Sequence, residues 1–204
     1  MRKIAVYVNF MNERYRRQLE EAASRLGFSL DCYDCPRDSG ALAEKIGDYE
    51  VVYGHPEAAL LKEATRLRWL CSDFAGVEGY LPSEVWPRPD CLLSNSSGAY
   101  GPAISEHIVM VLLMLLRRMP EYQAALARGQ WPCYTPIRSV TGSHVVLLGT
   151  GDIGSHAARR LKALGARVTG VCRGGRSAEP AFDQVLPVSR LENAGAFGLH
   201  GHQI

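Results

Sequence analysis

A chain of 204 residues, 47% hydrophobic and 22% charged, has the composition of an ordinary globular protein with room for one large domain or two small ones. Its formal net charge of +2, with no block of like charges, argues against a nucleic-acid partner. The longest apolar run, residues 108–116, falls well short of the ~18–20 residues of a membrane span.

The N-terminus Met1-Arg-Lys-Ile-Ala-Val-Tyr-Val lacks the h-region of a signal peptide and reads as a first strand, so a cytoplasmic, membrane-free protein is expected. The first hundred residues alternate strand and helix signals. Strands are predicted at 3–8, 28–33, 50–53 and 68–72, with a short fifth at 91–94. Between them lie an amphipathic helix at 13–26 stopped by Gly27, a short helix at 41–46, and a helix opened by Pro56 that runs to about residue 66. This alternation predicts a doubly wound parallel sheet.

Six cysteines (32, 35, 71, 91, 133 and 172) are scattered, as suits a reducing compartment. Cys32-Tyr-Asp-Cys35 is formally C-x-x-C. Pro36 follows a strand there instead of opening a helix, and no second pair completes a zinc site, so no redox or metal role is assigned.

Asn95-Ser-Ser-Gly98-Ala-Tyr-Gly101-Pro102 reads as a turn-rich hinge, with Pro102 opening a long helix over 102–128. Ala103, Ile104, His107, Ile108, Val111, Leu112 and Leu115 form one face, and Val109, Met110, Leu113, Met114 and Leu116 make the other side apolar too. A helix apolar all round is expected to be buried all round, between domains or between subunits. Beyond Trp131-Pro132, a second unit is predicted from a strand at 144–148, a helix at 152–164 with Gly165 after it, a strand at 167–172 and an edge strand at 184–187. Residues 192–204 read as an unstructured tail.

His144-Val-Val-Leu-Leu-Gly149-Thr-Gly151-Asp-Ile-Gly154 is the most specific stretch. G-x-G-x-x-G between an apolar strand and a run of small helix formers is the context of a dinucleotide-binding loop. Gly149 permits the tight turn, Gly151 lets the backbone approach a pyrophosphate, and Gly154 lets the helix pack on its strand. The end of the second strand chooses the cofactor. An acid there takes the ribose hydroxyls of NAD, but this chain reads Cys172-Arg173-Gly-Gly-Arg176. Loss of the acid and gain of guanidinium groups favour NADP over NAD, with Cys172, Arg173 and Arg176 as candidate contacts.

Leu70-Cys-Ser-Asp-Phe-Ala75-Gly76-Val77, then Asn95-Ser-Ser-Gly98-Ala-Tyr-Gly-Pro-Ala-Ile-Ser-Glu106-His107, then Gly149–Gly154, resemble in order the D-isomer-specific 2-hydroxyacid dehydrogenase family. The resemblance covers roughly residues 1–191. It implies a flavodoxin-like substrate domain over 1–99 and an incomplete Rossmann NAD(P)-binding domain over 100–191. It also implies oxidoreduction of small 2-hydroxy or 2-oxo acids and a homodimer through helix 102–128. The backbone of Ala75, Gly76 and Val77 would hold the substrate carboxylate. The Gly149–Gly154 loop, Thr150 included, would hold the cofactor, with the Asp152 and Ile153 amides on its pyrophosphate. The family's arginine, glutamate and histidine would lie beyond residue 204. No catalytic residue is therefore assigned, the chain is expected to be C-terminally truncated and inactive alone, and Glu192, His200 and His202 are not promoted into the role.

Glu106 and His107 point about 100° apart on a helix, so a structural role is expected for the pair. His55, between Gly54 and Pro56 at a strand end, could line the cleft, but a turn residue is the safer reading. The alternative function is a non-catalytic nucleotide-binding or interaction module docking through an open sheet edge and the apolar helix. An S-adenosylmethionine-dependent methyltransferase ranks third, because it would want an acid where Cys172 stands.

Overall fold

The computed structural model describes residues 2–192, so the expected tail beyond Glu192, with His200 and His202, lies outside the described residues. Two compact units divide between Ser97 and Gly98.

Unit 1 contains β1 (Arg2–Val8), α1 (Glu13–Arg25), β2 (Phe28–Asp34), α2 (Ser39–Lys45), β3 (Val51–Gly54), β4 (Trp69–Cys71) and β5 (Leu92–Ser94). All strand pairs are parallel, in the order β2-β1-β3-β4-β5, the flavodoxin-like order. β1 is buried on both faces, as a central parallel strand must be. Ala5 and Tyr7 enter a core with Leu42, Ile46, Tyr49, Val52, Leu61, Leu67 and Leu70. Asn12 caps α1 by accepting from the Tyr15 N–H at 2.9 Å, and Gly27 follows the helix at φ +75°.

The helix expected from Pro56 to residue 66 does not form; a 3-10 turn at Ala58–Glu63 replaces it. Leu61 lies in this turn and Ala64 closes it; both are fully buried, and positions three apart eclipse in a 3-10 turn.

Unit 2 contains α3 (Gly101–Leu116), α4 (Met119–Leu126), β6 (His144–Leu148), α5 (Asp152–Ala163), β7 (Arg167–Cys172) and β8 (Gln184–Pro187), with parallel strands in the order β6-β7-β8. The single helix expected over 102–128 is two helices. Pro120 has no N–H, and its ring would strike the Leu116 carbonyl in a continuous helix. The chain breaks instead at Arg118, at φ 55°, and the freed Leu116 carbonyl accepts from the Arg138 N–H at 3.1 Å. Arg118 is pinned there by Glu121 at 3.1 Å, by the Thr135 carbonyl at 3.1 Å and by the Tyr134 ring.

Val109, Leu112 and Leu116 pack on a core of Val140, Ala158, Leu161, Val168 and Phe182, but Ile104, Met110, Val111, Leu113 and Leu115 are exposed. α3 and α5 pack together. At Gly101 a Cβ would come within 2.7 Å of both Asp152 carboxylate oxygens, so only glycine permits this approach.

Candidate functional site

The glycine loop joins β6 to α5. Gly149 sits at φ +101°, a conformation an L side chain resists, and its N–H bonds the Val171 carbonyl at 2.8 Å, tying the turn to β7. A Cβ on Gly154 would overlap the Gly149 carbonyl, whereas one on Gly151 would meet nothing within 4 Å. The two glycines therefore differ in kind: Gly154 serves the protein's own packing, and Gly151 leaves open space over the loop. α5 begins at Asp152, and the first N–H groups of a helix have no intrahelical acceptor, so Asp152 and Ile153 can present theirs to an anion. Both residues are exposed. Thr150 lies over Gly170 of β7, where a Cβ would stand 2.5 Å from the Thr150 methyl.

The second strand of this unit ends at Cys172, whose thiol donates to the Arg176 carbonyl at 3.4 Å. The Thr150 side chain, followed by the backbone N–H groups of Arg176, Gly175 and Gly174, holds that thiol below its ordinary range. Cys172 thus stands beside the glycine loop within a turn whose amides favour negative charge. Arg173 and Arg176 are exposed on the same turn, without an ion-pair partner among the described residues. The turn is thus open and electropositive, and the space over Gly151 is unfilled.

In unit 1 the segment after β4 is braced residue by residue. The Phe74 N–H donates to Ser72 Oγ at 3.1 Å, the Phe74 carbonyl accepts from the Ser96 N–H at 3.1 Å, and Asn95 Nδ2 donates to the Ala75 carbonyl at 2.7 Å. Ala75 and Gly76 are exposed, while Val77 packs on the core. Asn95 and Ser96 follow β5, so two strand ends hold one loop in shape.

His55 follows β3 and is more than a turn residue. Its Nδ1 lies 2.8 Å from Asp73 Oδ1, and its ring meets Phe74 edge-on with centroids 4.0 Å apart. The Asp73 side chain is 6% exposed and that of His55 is 33% exposed. This pair was missed by the sequence reading, although polar residues directly after parallel strands stand where α/β sheets bind ligands. Cys35, the second cysteine of the C-x-x-C, is buried with its Sγ 3.9 Å from His55 Nε2; among the described residues no cluster could hold a metal.

Glu106 pairs with Arg160 at 3.2 Å, which ties α3 to α5 and matches a structural role. Asp152 is also engaged through its side chain, 3.6 Å from His156 Nε2. No helix among the described residues is long and apolar enough to cross a membrane.

Residues 109–194 match the family model for the D-isomer specific 2-hydroxyacid dehydrogenase, NAD binding domain. A crystal structure of a D-isomer specific 2-hydroxyacid dehydrogenase family protein from Aeromonas salmonicida is 31% identical, with a TM-score of 0.79 over 95% of this chain and 60% of its own. Both matches are to the D-isomer-specific 2-hydroxyacid dehydrogenase family, which this chain resembles over its described length. Among curated relatives, a D-lactate dehydrogenase from Staphylococcus epidermidis is 26% identical over 70% of this chain and 42% of its own. A glyoxylate/hydroxypyruvate reductase from Arabidopsis thaliana is 24% identical over 59% of this chain and 38% of its own. The chain therefore spans less than half the length of these two curated relatives. The matched residues 109–194 take in the second half of α3, α4 and β6-β7-β8 with the glycine loop, and β1–β5 form a separate flavodoxin-like sheet.

Proposed function

We propose that this chain is a member of the 2-hydroxyacid dehydrogenase family, an NAD(P)-dependent oxidoreductase acting on the CH–OH group of small 2-hydroxy acids or the keto group of 2-oxo acids. Unit 2, residues 98–191, binds the dinucleotide through the backbone of Gly149, Thr150, Gly151, Asp152, Ile153 and Gly154. Unit 1 holds the acid's carboxylate at the backbone N–H groups of Ala75, Gly76 and Val77. The relatives named for glyoxylate, hydroxypyruvate and D-lactate support this substrate class. When bound, the nicotinamide supplies hydride chemistry; the protein's own share in these units is to bind and orient.

The observation that carries the cofactor assignment is the Cys172–Arg176 turn, which offers amides and two guanidinium groups where a carboxylate would repel a 2′-phosphate. NADP is the preferred cofactor on this reading. Calorimetric titration of the 204-residue protein with NADPH and NADH tests it. Replacing Arg173 and Arg176 together by alanine is expected to weaken NADPH binding about tenfold or more, the worth of one charge-assisted phosphate contact, while changing NADH binding less than about twofold. Equal losses for both cofactors would refute the NADP preference.

The exposed side chains of α3, Ile104, Met110, Val111, Leu113 and Leu115, support a homodimer through this helix and α4. Light scattering is expected to give twice the 22.4 kDa chain mass, and Leu115→Glu to return it to the monomer value. A wild-type monomer would rule the interface out. All six cysteines are unpaired, which supports a cytoplasmic location.

A further inference from the structure

In the sheet order β2-β1-β3-β4-β5 the chain reverses direction across the sheet between β1 and β3, and ligands of such sheets lie outside the carboxyl ends of the strands at that switch point. The residue immediately after β3 is His55 and the second residue after β4 is Asp73. The two are bonded at 2.8 Å, and Asp73, with its side chain 94% buried, fixes the imidazole through Nδ1. A ring held in this way carries its proton on Nδ1 when neutral and on both nitrogens when charged. Nε2 then has a single partner among the described residues, the Cys35 thiol at 3.9 Å, at the far limit of a sulfur hydrogen bond. The Tyr7 phenol also meets the Cys35 thiol; burial first and the thiol second push it up to about 12, so it remains a neutral hydroxyl.

His55 also touches the loop proposed to hold the carboxylate, through Asp73 and the edge-on contact with Phe74, the residue before Ala75. That loop carries a carboxylate of its own: a Glu78 oxygen lies 3.0 Å from where a Cβ of Gly76 would stand. An anion at the Ala75–Val77 amides therefore gains from a nearby positive group. In its imidazolium form a histidine oriented by a buried aspartate supplies one, donating from Nδ1 to Asp73 and from Nε2 to the anion.

We propose that His55 is a specificity-determining contact of the acid substrate: Asp73 orients its ring, and Nε2 donates a hydrogen bond to the carboxylate held at the Ala75–Val77 loop. This rests on the reading of that loop as the carboxylate site. The ligand class is a small acid whose carboxylate oxygens reach the loop and the imidazole together.

Oxalate, an unreactive two-carbon acid with the shape of a 2-oxo acid, is the probe. In a titration of isotope-labelled protein followed by NMR, the amides of Ala75, Gly76 and Val77 report the loop and the ring nitrogens of His55 report the imidazole. Both sets are expected to move together, Nε2 more than Nδ1. His55→Asn places an amide nitrogen near the position of Nδ1 and nothing at Nε2, so it keeps the bond to Asp73 while losing the contact to the ligand. Oxalate binding is expected to weaken about tenfold in this variant, with the amide spectrum of the free loop unchanged. His55→Gln, with an amide near Nε2, is expected to recover part of the loss. Loop amides that shift while His55 stays silent, with His55→Asn binding as wild type, would overturn the role of His55 and leave the loop reading intact. A His55 response with silent loop amides would refute the loop reading and this proposal, and would leave the histidine as an isolated anion contact. Silence from both would remove the two together. The wild-type ring signals decide the matter even if a variant fails to fold.

Discussion

Alanine at Gly151 is expected to leave the fold intact and to remove dinucleotide binding, while alanine at Gly154 damages the fold itself. A Cβ at position 151 meets nothing within 4 Å, and the φ of −77° there suits any residue, so the free protein accommodates it. A bound pyrophosphate needs that space, so affinity for NADPH should fall roughly 100-fold, about 2.7 kcal/mol. The melting temperature should move by no more than about 2 °C, since surface changes away from packing cost little. At Gly154 the added methyl overlaps a backbone carbonyl that cannot swing aside, because Gly149 is itself tied to Val171. Overpacking of this kind costs roughly 1–3 kcal/mol or more, and the melting transition should fall by about 5–15 °C. Calorimetric melting together with cofactor titration of the two variants separates the roles. A Gly151→Ala protein that binds NADPH like wild type would remove the loop as the phosphate site.

The second large effect is expected at Gly54→Ala. Gly54 ends β3 at φ +130°, and a Cβ there would overlap the Tyr7 carbonyl of the neighbouring strand. A strained backbone of this type costs roughly 1–3 kcal/mol before the clash is counted, so a loss of about 3 kcal/mol or more is expected. Gly27→Ala is the control. Its φ of +75° is also positive, but open space surrounds it, and the cost should be ~1 kcal/mol. Urea denaturation with a midpoint shift several times larger for Gly54→Ala is the expected result; equal shifts would show that close approach to Tyr7 does not matter. Gly54 also sets the position of His55, so a folded Gly54→Ala protein should lose oxalate binding as well.

The strands were legible because apolar β-branched runs bounded by turn residues leave little choice, and all eight formed within two residues of the predicted ends. The misread elements share a cause. At 108–116 the apolar composition outweighed Pro120, although a proline four residues after Leu116 is a steric veto on continuing the helix. At 56–66 the helix-opening Pro56 outweighed other signals where only a 3-10 turn forms, at Ala58–Glu63. The strand–glycine loop–helix geometry could be read from spacing because its residues are neighbours in sequence. The His55–Asp73 pair could not, since its members are 18 residues apart and meet only when β3 and β4 lie side by side. The seat of Thr150 on Gly170 was equally hidden, a lone glycine in a strand having many possible reasons.

That seat has a consequence for how the cofactor site can change. Thr150 resting on β7, and Gly154 against the Gly149 carbonyl, hold the phosphate loop in shape before any ligand arrives, so little freedom is lost there on binding. The Cys172–Arg176 turn is exposed, and its long arginines must give up rotamers when they engage a phosphate. On the proposed reading, affinity common to both nicotinamide cofactors resides in a rigid part, and discrimination between them in a soft one. Substitutions at 172, 173 and 176 can therefore redirect cofactor choice without disturbing the fold that makes binding possible.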